Sequence, residues 1–370
     1  MRYYIIAGEA SGDLHGSRLI RELHVQDPHA QIRCWGGDLM QEAGAELVQH
    51  YRDLAFMGFI EVVMHLGAIL QNLARCKKDV LEFHCDVLIL IDYPGFNLRM
   101  AAWAHARGIR VVYYISPQVW AWKEGRVKAI ARDVDRMLVI LPFEQEFYCR
   151  RGVEVTYVGH PLLEAVREAR ELGPGTPIAS KPIVALLPGS RRQEVSKKLP
   201  VMLQVVKAFP AYTFVIGQAP SLEDAFLAPF LKDYPEIQVL KGRTYELLQQ
   251  ARAALVTSGT ATLEAALFGV PEIVCYKGSP ISYLLARQLI RVPYISLVNL
   301  IMNRPVVLEL IQSELNAENL SKGLRQLLDN TEAAYRLQQD YRELWEKLDE
   351  GNAPRKAALT ILQFLNESGA

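Results

Sequence analysis

Short, nearly uninterrupted apolar runs alternate along the chain with longer segments whose apolar residues recur at helical spacing. The runs predict buried strands at residues 2–7, 32–35, 86–91, 111–115 and 137–141, and again at 183–187, 213–216, 238–240, 253–256 and 271–276. Helical periods predict helices over 17–25, 143–150 and 245–250, and two amphipathic helices over 333–364 broken near residues 351–354. Strands that alternate with helices build parallel sheets from βαβ units, so the expected class is α/β with doubly wound, Rossmann-like domains. The stretch 171–177 is rich in Gly and Pro and has no apolar period, and the alternation restarts after it. The expected organisation is a first domain over 1–170, a second over 171–345, and a C-terminal helix over 346–370 that packs back on the first domain or exchanges with another subunit.

Composition narrows the partners. At 370 residues the chain exceeds one usual domain. Lys plus Arg and Asp plus Glu both number 41, so net charge is zero and no global attraction to nucleic acid is expected. No stretch reaches the roughly 18 apolar residues of a membrane span. The N-terminus reads as a core strand, not a signal segment. Five cysteines without metal-type spacing point to a reducing compartment and no disulfide framework.

Candidate chemistry sits where strands end. The run 253–256 enters Thr257-Ser258-Gly259-Thr260, and a helix leaves it. Such a turn presents free backbone N–H groups and a helix dipole to an anion, although an ordinary capped strand–turn–helix has the same residues. Glu264 stands within reach of a sugar hydroxyl beside that anion. The strand 183–187 runs into Pro188-Gly189-Ser190-Arg191, the same design with an arginine that can hold a phosphate bidentately. In the first half, strand 2–7 ends in a loop with Gly8, Gly12 and Gly16 whose spacing is not the dinucleotide fingerprint. Asp13 and His15 there either position a sugar or, for Asp13, cap the following helix. Asp92 ends strand 86–91 before Pro94-Gly95; a catalytic base belongs there, and so does a common turn residue. The apolar run 54–64, with Met57 and Phe59, is either a buried helix or a surface for acyl chains. Trp120 and Trp122 beside Lys123 and Arg126 suit a phosphate-bearing ligand or an anionic membrane, or equally a solvated basic helix over packed indoles. Asn299 and Glu309 are polar among apolar neighbours, so they are buried with partners or line a cleft.

Taken together these stretches resemble the lipid-A-disaccharide synthase family of inverting GT-B glycosyltransferases. The resemblance rests on Ala7-Gly8-Glu9-Ala10-Ser11-Gly12-Asp13, Met57-Gly58-Phe59-Ile60-Glu61-Val62, Ile91-Asp92-Tyr93-Pro94-Gly95-Phe96-Asn97 and Ser116-Pro117-Gln118-Val119-Trp120-Ala121-Trp122. In the second half it rests on Gly159-His160-Pro161, Pro188-Gly189-Ser190-Arg191, Ser258-Gly259-Thr260-Ala261-Thr262-Leu263-Glu264 and Leu297-Val298-Asn299-Leu300. One departure is visible: Gly95 stands where some members carry a second acid, which leaves the base role to Asp92.

The resemblance implies a GT-B fold, two doubly wound domains facing across a cleft, with the first domain serving acceptor and membrane and the second serving the UDP-sugar. It implies UDP-2,3-diacylglucosamine as donor and 2,3-diacylglucosamine 1-phosphate as acceptor, giving a β-1,6-linked disaccharide 1-phosphate and UDP without metal or other cofactor. Asp92 is then the base, and Ser190, Arg191, Ser258, Gly259 and Thr260 hold the diphosphate. Glu264 grips the ribose, and Asn299 orients the donor. Glu9, Ser11, Asp13, Met57, Phe59, Trp120, Trp122, Lys123 and Arg126 contact acceptor or lipid. The expected location is the cytoplasmic surface of the inner membrane, with a homodimer left open. Two rivals stand beside this reading. One is another GT-B enzyme acting on UDP-N-acetylhexosamine, such as an epimerase; the other is a non-catalytic nucleotide-sugar sensor or membrane scaffold.

Overall fold

A computed structural model describes residues 1–54, 66–121, 124–279 and 292–367. Two compact units divide the chain: Met1–Pro161 with Glu350–Ala370, and Leu162–Asp349.

The first unit is built on β1 (Arg2–Ala7), β2 (Gln31–Gly36), β3 (Glu46–His50), β4 (Val87–Ile91), β5 (Arg110–Tyr114), β6 (Arg136–Val139) and β7 (Thr156–Tyr157). They form one sheet in the order β3-β2-β1-β4-β5-β6-β7, with every pairing parallel. All five residues of β4 are buried, as strands covered on both faces must be. The half-exposed edge strand β3 has no apolar run and escaped the sequence reading. The last helix, Ala353–Glu367, packs on the helix Ala10–Gln26. Arg110 donates to the Leu365 carbonyl at 3.0 Å, and Arg136 lies over the Phe364 ring at 4.9 Å.

The second unit is built on β8 (Ile183–Leu187), β9 (Thr213–Gln218), β10 (Gln238–Lys241), β11 (Ala251–Thr257), β12 (Glu272–Tyr276) and β13 (Leu308–Ile311). Their order is β10-β9-β8-β11-β12-β13, again all parallel. The Gly/Pro-rich stretch at 171–177 belongs to this unit rather than dividing the chain. Gln249 donates to the carbonyls of Ala169 and Gly173 at 3.0 and 3.2 Å, and Gln250 to those of Pro174 and Thr176 at 2.6 and 3.2 Å. Those bonds tie the helix Leu162–Leu172 and its tail to the second sheet's helices.

The first helix starts at Ala10, not near residue 17, so Ser11, Asp13 and His15 are helical rather than part of a loop. Its glycines are there for close packing. A Cβ on Gly12 would lie 3.0 Å from the Ala7 Cβ, and one on Gly16 would lie 2.7 Å from the Met40 sulfur. Among the described residues, no helix is long and apolar enough to cross a membrane.

Candidate active site

Strand order reverses between β1 and β4 in the first sheet and between β8 and β11 in the second. Ligands of open α/β sheets bind outside the carboxyl ends of strands at such reversals. The residues that follow these four strands are Glu9, Asp92, the Gly189-Ser190-Arg191 turn and the Ser258-Gly259-Thr260 turn.

Asp92 is held in an uncommon backbone conformation. Its φ is 44° and that of Tyr93 is 47°, the left-handed region that side chains other than Gly, Asn and Asp avoid. The surroundings over-determine this shape. The Asp92 carbonyl accepts from Tyr113 Oη at 2.5 Å and from Asn97 Nδ2 at 2.8 Å. Buried Asn97 also donates to the Ile91 carbonyl at 3.1 Å, and Pro94 opens the helix Pro94–His105. The backbone is thereby tied down on its carbonyl side, and the carboxyl group turns into a partly buried site. Burial and the nearby Glu9 carboxylate raise its pKa from 3.8 to about 6, and the Tyr93 amide offsets part of the rise. A carboxyl poised there is suited to take a proton near neutral pH.

Gly8 makes room for this arrangement: a Cβ on it would stand 2.3 Å from the Tyr93 ring. Gly8→Ala is therefore expected to cost about 1–3 kcal/mol in urea unfolding through overpacking, and to slow turnover by displacing Tyr93 next to Asp92. A fully active, equally stable Gly8→Ala protein would show that the ring moves freely.

Other residues of the first unit serve structure. The Asp13 carboxylate accepts from the backbone N–H groups of Gly37 (2.8 Å), Leu39 (3.2 Å) and Met40 (3.0 Å), capping the short helix Asp38–Glu42. Of the two roles left open for it, the capping one has its partners here, on a helix distant in sequence rather than on its own. Trp120 likewise is anchored. Its ring meets Phe143 edge-on at 5.0 Å and its Nε1 donates to Glu144 at 3.1 Å, a poor posture for dipping into lipid. Glu144 is buried, and burial raises its pKa to about 7. His15 and His160 are held neutral: burial pushes them down to about 4 and about 3, with Arg18 adding to the first shift and His15 to the second. Ser11 is exposed, and Arg126 opens the helix Arg126–Asp133. Met57, Phe59, Trp122 and Lys123 lie outside the described residues.

In the second unit, Gly189 has φ 117° and turns the chain out of β8. Ser190 and Arg191 follow it, both exposed, and Arg191 Nη1 lies 3.4 Å from Glu194. Gly259, at φ 141°, turns the chain out of β11 into the helix Thr260–Leu267. Ser258 Oγ donates to the Ile295 carbonyl at 2.9 Å, which fixes that turn. Glu264 accepts from Tyr245 Oη at 3.0 Å, and burial raises its pKa.

Asn299 differs from its expected role as a donor contact. Its Nδ2 donates to the Val307 carbonyl and to Glu309, both at 2.9 Å, and its Oδ1 accepts from the amides of Val306 and Val307 at 2.8 and 2.9 Å. Two donors and two acceptors exhaust a carboxamide. Glu309 in turn receives Ser296 Oγ at 2.7 Å and the Ser296 amide at 2.9 Å. Asn299 is thus the centre of a buried staple. Sequence reasoning gave no role to Asn97, Tyr113, Tyr245 or the buried Lys198. Asn97 stood within a quoted motif, but nothing in one dimension shows that Lys198 turns inward.

Two parallel sheets, each with its own reversal of strand order, define a protein of the GT-B fold class. Solved structures with this fold include a glycotransferase of kitacinnamycin, at TM-score 0.68 and 17% identity, covering 98% of this chain and 99% of that one. They also include the UDP-GlcNAc 2-epimerase from Neisseria meningitidis bound to UDP-GlcNAc, at TM-score 0.67 and 12% identity, covering 99% of this chain and all (100%) of that one. Identities this low carry the fold and nothing finer, and they do not separate transferase from epimerase. The family is settled by sequence: the model of lipid-A-disaccharide synthetases (LpxB) matches residues 3–363. The lipid-A-disaccharide synthase of Trichlorobacter lovleyi is 41% identical over 380 residues, covering 99% of this chain and 98% of that protein. The chain belongs to the lipid-A-disaccharide synthetase family, and the reading as another GT-B enzyme is not favoured.

Proposed function

We propose that this chain transfers 2,3-diacylglucosamine from UDP-2,3-diacylglucosamine to 2,3-diacylglucosamine 1-phosphate. The products are the β-1,6-linked disaccharide 1-phosphate and UDP. The family match from residue 3 to residue 363 carries this reading.

The chemistry needs a base, a charge sink and a grip on the nucleoside. Asp92 accepts the proton of the acceptor's 6-hydroxyl as that oxygen attacks the anomeric carbon. The bond to the diphosphate breaks on the opposite side, so the configuration inverts. Arg191 and the amides of the two second-unit turns take up the charge that develops on the departing UDP, and no metal is required for that step. Glu264, held by Tyr245, accepts from the ribose hydroxyls. Both substrates carry acyl chains, so the protein works peripherally at the cytoplasmic face of the inner membrane, with Arg126 near the lipid phosphates.

Incubation with both lipid precursors in detergent, followed by mass analysis, is expected to give the tetraacylated disaccharide 1-phosphate and UDP. Conversion of non-acylated UDP-N-acetylhexosamine, with no disaccharide from the lipids, would overturn the assignment. Arg191→Ala is expected to weaken UDP binding about tenfold to a hundredfold by calorimetry, the worth of one charge-assisted hydrogen bond. The Arg191–Glu194 pair is surface-exposed, so its loss leaves stability nearly unchanged.

A further inference from the structure

Lys198, on the second turn of the helix Arg192–Leu203, has a side chain only 2% exposed. Lysine is almost never buried to this degree unless paired. Its Nζ donates to Thr257 Oγ1, at the last residue of β11, and stands 3.5 Å from Glu194 Oε2. Glu194 also faces Arg191 at 3.4 Å. Gly189 packs against the same group: a Cβ there would lie 2.8 Å from Glu194 Oε2 and 3.4 Å from Thr257 Cγ2. One run of contacts therefore joins the turn after β8 to the end of β11, through Arg191, Glu194, Lys198 and Thr257. Within it two cations share a single carboxylate. Arg191 is exposed, but Lys198 lies buried beneath the two turns, where water cannot screen its charge well.

We propose that Lys198 is the positioning residue of the diphosphate site. It spaces the two turns through Thr257 and Glu194, and its buried charge draws the donor's diphosphate onto them. The inference rests on the reading that UDP's phosphates bind at these turns. When phosphate engages Arg191, Glu194 is left to Lys198 alone, and the surplus charge is met by the ligand.

Burial lowers the pKa of Lys198. The charged or titratable groups facing it are Glu194 and Arg191 on its own segment and Cys275 on β12; Thr257 on β11 does not titrate. The Cys275 thiol is pushed up to about 12, so it stays neutral while Lys198 deprotonates.

Calorimetric titration of the full chain with UDP, and with uridine as the phosphate-free control, tests the proposal across alkaline pH. Lys198→Met is expected to weaken UDP about tenfold to a hundredfold and to leave uridine unchanged. Parent affinity for UDP should fall within the alkaline range, at a pH below the usual titration of a lysine. Lys198→Arg should hold the affinity without that fall, because arginine keeps its charge. If Arg191→Ala weakens UDP while Lys198→Met does not, the role of Lys198 is wrong and the donor site stands. Unchanged UDP affinity in both variants overturns the donor site and this inference together. Should Lys198→Met fail to fold, the parent's pH profile decides: an affinity flat through the alkaline range rules the proposal out.

Discussion

Asp92→Asn is expected to keep the fold and UDP binding while slowing turnover about 10²- to 10⁴-fold, the range over which a positioned base contributes. Asparagine is the right probe because it tolerates the left-handed φ of 44° and matches aspartate in shape. What it lacks is a lone pair basic enough to hold a proton. The pH profile gives a second reading. Only the ionised carboxyl accepts a proton, so the parent's kcat/KM should rise with pH through about 6 and then level. Stability carries the opposite sign. Folding raises this pKa from 3.8, so the folded state favours the protonated acid, and stability is lost as pH climbs through about 6. Asp92→Asn cannot ionise, so at neutral pH its melting temperature should be no lower than the parent's. A variant that turns over near the parent rate would remove Asp92 from the chemistry. One that is markedly less stable would recast it as a turn residue.

The second large effect concerns stability. Asn299→Ala removes four hydrogen bonds and leaves the amides of Val306 and Val307 without their acceptor and Glu309 without one donor. Unsatisfied buried groups of this kind cost about 1–3 kcal/mol each, partly relieved by relaxation, so a loss of about 3 kcal/mol is expected. In a unit of this size that lowers the melting temperature by roughly 6–12 °C. Thermal unfolding followed by circular dichroism checks it. A variant with parental stability but weakened donor binding would instead return Asn299 to direct contact with the sugar nucleotide. Asn299→Asp should fare no better, because it loses the donor and sets a carboxylate against Glu309.

The two predictions mark different kinds of legibility. Asp92 could be found in one dimension because its position, the end of an all-apolar strand before Pro-Gly, is itself a sequence feature. Asn299 was found too, with both fates open, since a polar residue among apolar ones has either partners or a ligand. Only the approach of Val306, Val307 and Glu309 chooses between them. Trp120 and Asp13 follow the same rule. A Trp in a basic segment looks like a membrane anchor until Glu144 and Phe143 are seen against it, and an acid after a strand looks like a ligand until three amides converge on it. Gly12 and Gly16 look like loop in one dimension but lie in the helix Ala10–Gln26, because nothing in a sequence tells a glycine that must turn from one that must make room.

By itself the amino-acid sequence determined the strand and helix alternation, the α/β class, the family, and the turns where chemistry gathers. The alternation, the class and the turns follow from periodicity and from residue types at strand ends, which are local properties of the chain; the family follows from the match of its motifs along nearly the whole chain. Tertiary structure decided which strands neighbour one another, and so placed Asp92 beside the β1 end and the Ser190 and Ser258 turns at one reversal of strand order. It also decided which polar side chains face protein instead of solvent, including the turn of Lys198 inward. Burial and hydrogen-bond partners are supplied by segments distant in sequence, and no local pattern encodes them.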